Sequence, residues 1–168
     1  MANIRFADVV EYFRTVATEL KVIGHSETET HFCRINMDEV FGGLKTKLKF
    51  PALIMEAPDF FIYDEHSDNE LKGLNIGFMV VQKVQAGNFE KEEQALDLME
   101  EAVTDIVSRM RKEHREYSTA GIISKSFQEN TVRWSKVGPL WENCFGWRVT
   151  LQVMNAQDFS YDETKWNS

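Results

Sequence analysis

Between Cys144 and Met154 apolar and polar residues alternate. Phe145, Trp147, Val149, Leu151 and Val153 fall on one side of an extended backbone, and Gly146, Arg148, Thr150 and Gln152 on the other. Successive side chains of a strand point to opposite faces, so this is the pattern of a half-buried strand. One face must be covered by the rest of the chain. The other meets water, a partner or a neighbouring subunit. Upstream, Val132-Arg133-Trp134 and Gly138-Pro139 complete a closing hairpin over residues 131–154.

The same reading carried along the chain gives the other elements. Val9, Val10, Phe13, Val16, Ala17 and Leu20 recur at helical spacing and predict an amphipathic helix over 7–22, ended by Gly24. A short strand over 31–36 sets Phe32 and Arg34 against Cys33 and Ile35, and a brief helix around Val40, Phe41 and Leu44 follows, weakened by Gly42-Gly43. Apolar strands over 50–55 and 59–63 flank Pro58, which has no N–H to donate and implies a bulge, bend or edge.

A polar link over 64–72 leads to a strand over 74–84, making a hairpin. Ile76, Phe78, Val80 and Val84 line one of its faces and Gly77, Met79, Val81 and Lys83 the other, so it is apolar on both sides and central. Gly87-Asn88 opens a long helix over 89–116 with an apolar stripe of Ala95, Leu96, Met99, Ala102, Val103, Ile106, Val107 and Met110. Glu90, Glu92 and Glu93 at its start and Arg109, Arg111, Lys112, His114 and Arg115 at its end complement the helix dipole. The connector over 117–130 includes a predicted short strand at Ile122-Ile123.

This order predicts an α+β fold: a mainly antiparallel sheet with an N-terminal helix and a long helix packed on one face. One domain spans residues 1–155. Residues 156–168 form a polar tail with isolated Phe159, Tyr161 and Trp166, which dock on their own domain or serve as an arm for a neighbour.

At 168 residues the chain is long enough to bury a core without disulfides or metals. A formal charge of −8 and a pI near 5.1 argue against a nucleic-acid-binding surface, which needs concentrated Lys and Arg. The densest basic run, Lys45, Lys47 and Lys49, reads as a solvated face or edge strand. Cys33 and Cys144 read as reduced core fillers. Charged residues within the first twenty positions exclude a secretory h-region there, and no run is long enough for a membrane span.

Motifs that carry chemistry are scarce. His31 and Cys33 with Asp38 and Glu39 have ligand chemistry but match no zinc spacing, so they read as structural. Asp64, Glu65, His66, Asp68 and Glu70 form the densest acidic cluster, but lack the order that wraps calcium and read as a polar hairpin tip. There is no Gly-x-Ser-x-Gly elbow, glycine-rich phosphate loop or His-Glu-x-x-His helix. The pairs Glu92-Glu93 and Glu100-Glu101 read as solvating charge. No catalytic, cofactor-binding or metal-binding residue is assigned.

The aromatic density of the closing hairpin stands out. Trp134 and Trp147 are expected to pair across it over the core, and Trp141, in the 139–143 connection, to serve an interface. A Trp141→Ala change is then expected to impair assembly more than folding.

Four features together carry a resemblance: the N-terminal helix, the strand opening Phe50-Pro51-Ala-Leu-Ile-Met-Glu56, the Asn88-Phe89 start of the long helix, and the closing Gly146-Trp-Arg-Val-Thr-Leu-Gln-Val153. In these the chain resembles, from Ile4 to Asn155, the small tail terminator and tail completion proteins of long-tailed bacteriophages and prophages. The resemblance implies an α+β subunit of a homo-oligomeric ring, commonly hexameric, that caps the tail tube and joins it to head-completion proteins. It further implies no enzymatic activity, no cofactor, and a place in the cytoplasm during assembly and in the virion tail afterwards. Candidate interface residues are Asp64, Glu65, His66 and Asp68 in one loop, Trp141 in another, and Arg148, Thr150 and Gln152 on the polar strand face. The aromatic tail has no place in the family pattern.

Two other readings stay open at this stage. An acidic binding or immunity-type protein would neutralise a basic partner and concentrate its acids on one face. A small enzyme would need His31 or His66 to converge with Cys or carboxylates in a pocket.

Overall fold

The computed structural model describes residues 3–35, 47–63, 70–116, 121–157 and 159–166. Helix α1 (Phe6–Glu19) is followed by strands β1 (Phe32–Ile35), β2 (Ala52–Glu56), β3 (Asp59–Tyr63) and β4 (Leu71–Lys83). Helix α2 (Phe89–Arg115), the short helix α3 (Ile122–Lys125), and strands β5 (Phe127–Leu140) and β6 (Cys144–Ala156) complete the domain. The fold is α+β, as the hydrophobic pattern predicts. The brief helix expected around Val40 lies outside the described residues.

The sheet has the order β1-β2-β4-β6-β5, with β3 beside the other half of β4. All pairs are antiparallel except β1 with β2. β4 is central, as expected from its two apolar faces. All 13 residues of β4 pair with β6, from Leu71 opposite Ala156 to Lys83 opposite Cys144. β4 starts three positions before the predicted boundary, because Leu71 and Lys72 find partners in both β3 and β6.

Both long helices cover one face. α1 buries Val9, Val10, Phe13, Val16 and Ala17, and α2 buries Ala95, Met99, Ala102, Val103, Ile106 and Met110. They enclose Phe78, Val80, Val149, Leu151 and Val153 of the sheet in the main core. The caps follow from the sequence: the Arg5 N–H donates to Asp8 Oδ2 at 2.8 Å, and Asn88 Oδ1 accepts from the Lys91 N–H at 3.0 Å. α1 ends at Glu19 rather than Val22. The chain turns at Leu20, and its turn bonds tuck Ile23 into the core before Gly24 at φ +64°.

The predicted strand at Ile122-Ile123 is instead the single helical turn α3. Tertiary contacts override the β-branched propensity here. Ser124 Oγ donates to Glu113 Oε2 at 2.5 Å, and its carbonyl accepts from His114 Nδ1 at 2.9 Å, while Ile123 is buried. That placement fixes α3 against the end of α2.

The expected Trp134–Trp147 pair does not form. The β5–β6 register sets Trp147 opposite Lys136 and Trp134 opposite Val149. Trp147 packs on the core and donates its indole N–H to the Leu96 carbonyl at 2.9 Å, whereas Trp134 is exposed. Residues 133–137 hold this register against 146–150, and the ladder resumes at Gln128 only across an irregularity. Thr131 repairs it: its Oγ1 donates to the Gln128 carbonyl at 2.6 Å and accepts from the Gln152 N–H at 2.9 Å.

Candidate functional site

The sheet face away from the helices divides into two regions. Toward the β5–β6 turn it is apolar: Cys33, Ile35, Ala52, Ile54, Met79, Val81 and Cys144 form a second buried cluster. Leu48, Phe50, Val137, Leu140 and Trp141 pack over it. Trp141 is thus half-buried and has a share in the fold besides any role at a surface. The turn is anchored by the Val84 N–H donating to the Asn143 carbonyl at 3.1 Å and by Asn143 Nδ2 donating to the Val84 carbonyl at 3.0 Å.

The other half of this face is polar and open. Arg148 donates from Nε to Glu56 Oε1 at 2.6 Å and from its terminal nitrogen to Glu56 Oε2 at 2.7 Å. This is the bidentate fork in which a guanidinium matches a carboxylate. The Glu56 carboxylate pulls the Arg148 guanidinium still further above its ordinary range, against the opposing effect of burial. Gly77 makes room for the pair: a Cβ there would lie 2.3 Å from Glu56 Oε2. Thr150 sits opposite Gly77, and Gln152 Nε2 donates to Asn75 Oδ1 at 2.9 Å. Together with Asp59 and Thr131 these groups line a shallow concavity of about 300 Å³. Its donors and acceptors suit recognition of polar side chains or backbone by a docking surface.

The structure therefore gathers three of the residues singled out from sequence: Arg148, Thr150 and Gln152 share the concavity. Trp141 lies over the apolar cluster at the other end of the face. Asp64, Glu65, His66 and Asp68 lie outside the described residues. Sequence reasoning missed Glu56, Asn75, Gly77 and Thr131. The alternation of β4 put Gly77 on the right face, but Glu56 reaches Arg148 only through the β2–β4–β6 register, which no local pattern encodes.

The residues with metal-ligand or nucleophile chemistry are not brought into one centre. The imidazole of His31 is held by the Pro51 carbonyl, 2.7 Å from Nδ1. Among the described residues no group of three His, Cys, Asp or Glu side chains is placed to hold a metal ion. Cys33 and Cys144 are buried free thiols. They lie on strands separated by β2 and β4, at least about 14 Å apart at ordinary strand spacing, which is beyond disulfide reach.

Burial pushes both thiols up to about 12, with Glu142 adding to the effect at Cys144 and Lys83 opposing it. They are thus protonated at neutral pH and poor nucleophiles. Native protein should take up less than about one-tenth of the iodoacetamide label that urea-unfolded protein takes up at pH 7.5. Rapid native labelling, read by mass spectrometry, would show that one thiol is exposed and activated.

No protein-family model matches the chain, and no curated protein matches it in sequence. No helix among the described residues is long and apolar enough to cross a membrane.

Proposed function

We propose that this chain is a non-enzymatic structural protein of a phage or prophage tail, similar to a tail terminator, which assembles into a ring that caps the tail tube and joins it to the head. The observation that carries the reading is the one-sided α+β architecture. An N-terminal helix and a long helix bury one sheet face, while the closing hairpin presents Arg148, Thr150 and Gln152 on the other. A subunit whose work is assembly needs a rigid scaffold with a polar surface left for docking, and the Glu56–Arg148 fork holds that surface in a fixed shape.

Much of the described acidic charge is balanced locally, as a scaffold for assembly needs and an acidic protein that neutralises a basic partner does not. Acids of the described surface are interleaved with cations in pairs such as Arg14–Glu11, Lys49–Glu29, Lys83–Glu142, Arg111–Glu129 and Lys136–Glu92. These pairs lie on helices, loops and strands alike, while Glu93, Asp97, Glu101 and Asp105 make an exposed acidic stripe along α2.

The reading requires a cognate tail-tube protein, and the test uses that protein as the polymerising partner. Adding the purified protein during tube polymerisation should shorten the mean tube length several-fold and leave a ring of density at one tube end in negative-stain electron micrographs. Tubes of unchanged length with bare ends would sink the reading.

A further inference from the structure

We infer that two copies of this chain pair through the outer face of α2, the two helices antiparallel and related by a two-fold axis near Thr104. The inference goes beyond the tail reading and does not rest on it. α2 packs on the sheet face opposite the Arg148 concavity, so one surface does not block the other.

The buried residues Ala95, Met99, Ala102, Ile106 and Met110 fix one side of α2. On the opposite side Glu93, Asp97, Glu101, Thr104, Ser108 and Lys112 follow at spacings of three or four, and Arg115 ends the row. All seven positions are exposed. The row changes sign along its length, acidic before Thr104 and basic after Ser108. Asp105 lies on its flank, and Arg111, beside it, is already held by Glu129 at 2.6 Å.

The charges of the row are left for a partner. Glu93, Asp97, Glu101 and Arg115 make no ion pair among the described residues. Lys112 reaches Glu116 only at 3.9 Å and keeps 74% of its side chain exposed. Complementing the helix dipole accounts for charges in the end turns, because the effect fades within a turn. It does not account for Asp97 and Glu101, more than two turns in, where like charges four residues apart repel.

A second copy supplies the missing partners. Glu93 and Arg115 lie about 16 Å to either side of Thr104 along the axis, and Asp97 and Lys112 about 11 Å. Antiparallel pairing centred there sets Glu93 against Arg115, Asp97 against Lys112, and the Ser108 hydroxyl, as donor, against Glu101. The two-fold repeats each contact. Parallel pairing would set acid on acid. Thr104 and Ser108 are small, which lets the helices approach where they cross. A shallow hollow of about 390 Å³ bordered by Ser108, Lys112 and Arg115 has room for the incoming carboxylates. One self-complementary patch makes an isologous contact, which closes at two copies.

Sedimentation equilibrium of the full chain tests the contact. In about 50 mM NaCl the wild type should dimerise with a dissociation constant of about 10–100 µM, because exposed ion pairs are individually weak. In about 500 mM NaCl the dimer should weaken at least about tenfold, because screening reaches exposed charges. Asp97→Lys and Lys112→Glu each oppose like charges in a homodimer, and each alone should weaken association by at least about tenfold. Mixed in equal amounts, the two variants should pair as tightly as the wild type, since every opposed pair then has opposite signs again. Mixing cannot rescue a folding defect in this way.

Urea midpoints check that the variants fold, and Glu93→Lys with Arg115→Glu provide a second complementary pair if a midpoint moves. A wild type that stays monomeric at about 1 mM in low salt would overturn the contact. So would a single variant that associates like the wild type, a folded mixture that does not pair, or a dimer indifferent to salt. A monomer that binds a lysine-rich peptide through Asp97 and Glu101 would assign the acids to a foreign partner and overturn it equally. Tube capping judges the tail reading separately in every case.

Discussion

Replacing Gly146 with alanine is expected to cost about 3 kcal/mol or more, enough to leave much of the protein unfolded. Gly146 faces Val81 across the central β4–β6 ladder. A Cβ there would lie 1.9 Å from the Val80 carbonyl oxygen and 2.9 Å from the Val81 Cα. Those are backbone atoms of the most embedded strand, so nothing nearby can rotate away, and relief requires β4 and β6 to separate. Gly121→Ala is the control: a Cβ there meets nothing within 4 Å, and the change should stay within about 0.5 kcal/mol. Urea denaturation of both variants is the measurement. A Gly146→Ala protein as stable as the control would mean that the two strands are not in this register.

That register is also where legibility from sequence ends. The alternation in β6 and the apolar run in β4 correctly assigned faces to Val149, Leu151, Phe78 and Val80, because period-two and helical patterns are local properties of the chain. The stripe of α2 was equally plain. Three features were not. The helical turn at Ile122 depends on Glu113 and His114 reaching Ser124. The displacement of Trp134 from Trp147 depends on the register of β5 against β6. Glu56 meets Arg148 only because β2 and β6 lie on either side of β4. Each is set by pairing between distant segments, and a one-residue change of register would move every side chain to the other face.

Glu113→Ala should be the next most damaging change, at about 3 kcal/mol. The Glu113 carboxylate accepts from Tyr12 Oη at 2.8 Å, Ser124 Oγ at 2.5 Å and Arg109 Nε at 2.7 Å, and Arg109 continues to Glu19 at 2.6 Å. This one side chain ties α1, α2 and α3 together. Its loss leaves the half-buried Tyr12 hydroxyl, whose proton burial already holds more tightly, and the buried Ser124 without their acceptor.

Burial works against the Glu113 charge, but hydrogen bonds from Ser124, Arg109 and Tyr12 outweigh it and hold the carboxyl below the ordinary glutamate range. The unfolded chain therefore takes up this proton first as pH falls. The stability that Glu113 supplies is complete above the unfolded value, about pH 4.3, and is lost as pH falls through the lower folded value. Wild-type urea midpoints should drop from about pH 5 to pH 3, and the drop should be shallower in Glu113→Gln, which cannot ionise. Identical acid slopes in the two proteins would show that the carboxylate is not bound in this way.

The central ladder has a further consequence, in time instead of space. β4 and β6 are joined by the whole of α2, α3 and β5, so their pairs connect residues as far apart as Leu71 and Ala156. Such non-local pairing raises contact order and slows folding toward the millisecond-to-second range. β6 is also the last of these strands in chain order. Until it emerges, one edge of the central strand β4 has no mate, so the nascent domain is most prone to aggregate in the interval before β6 appears.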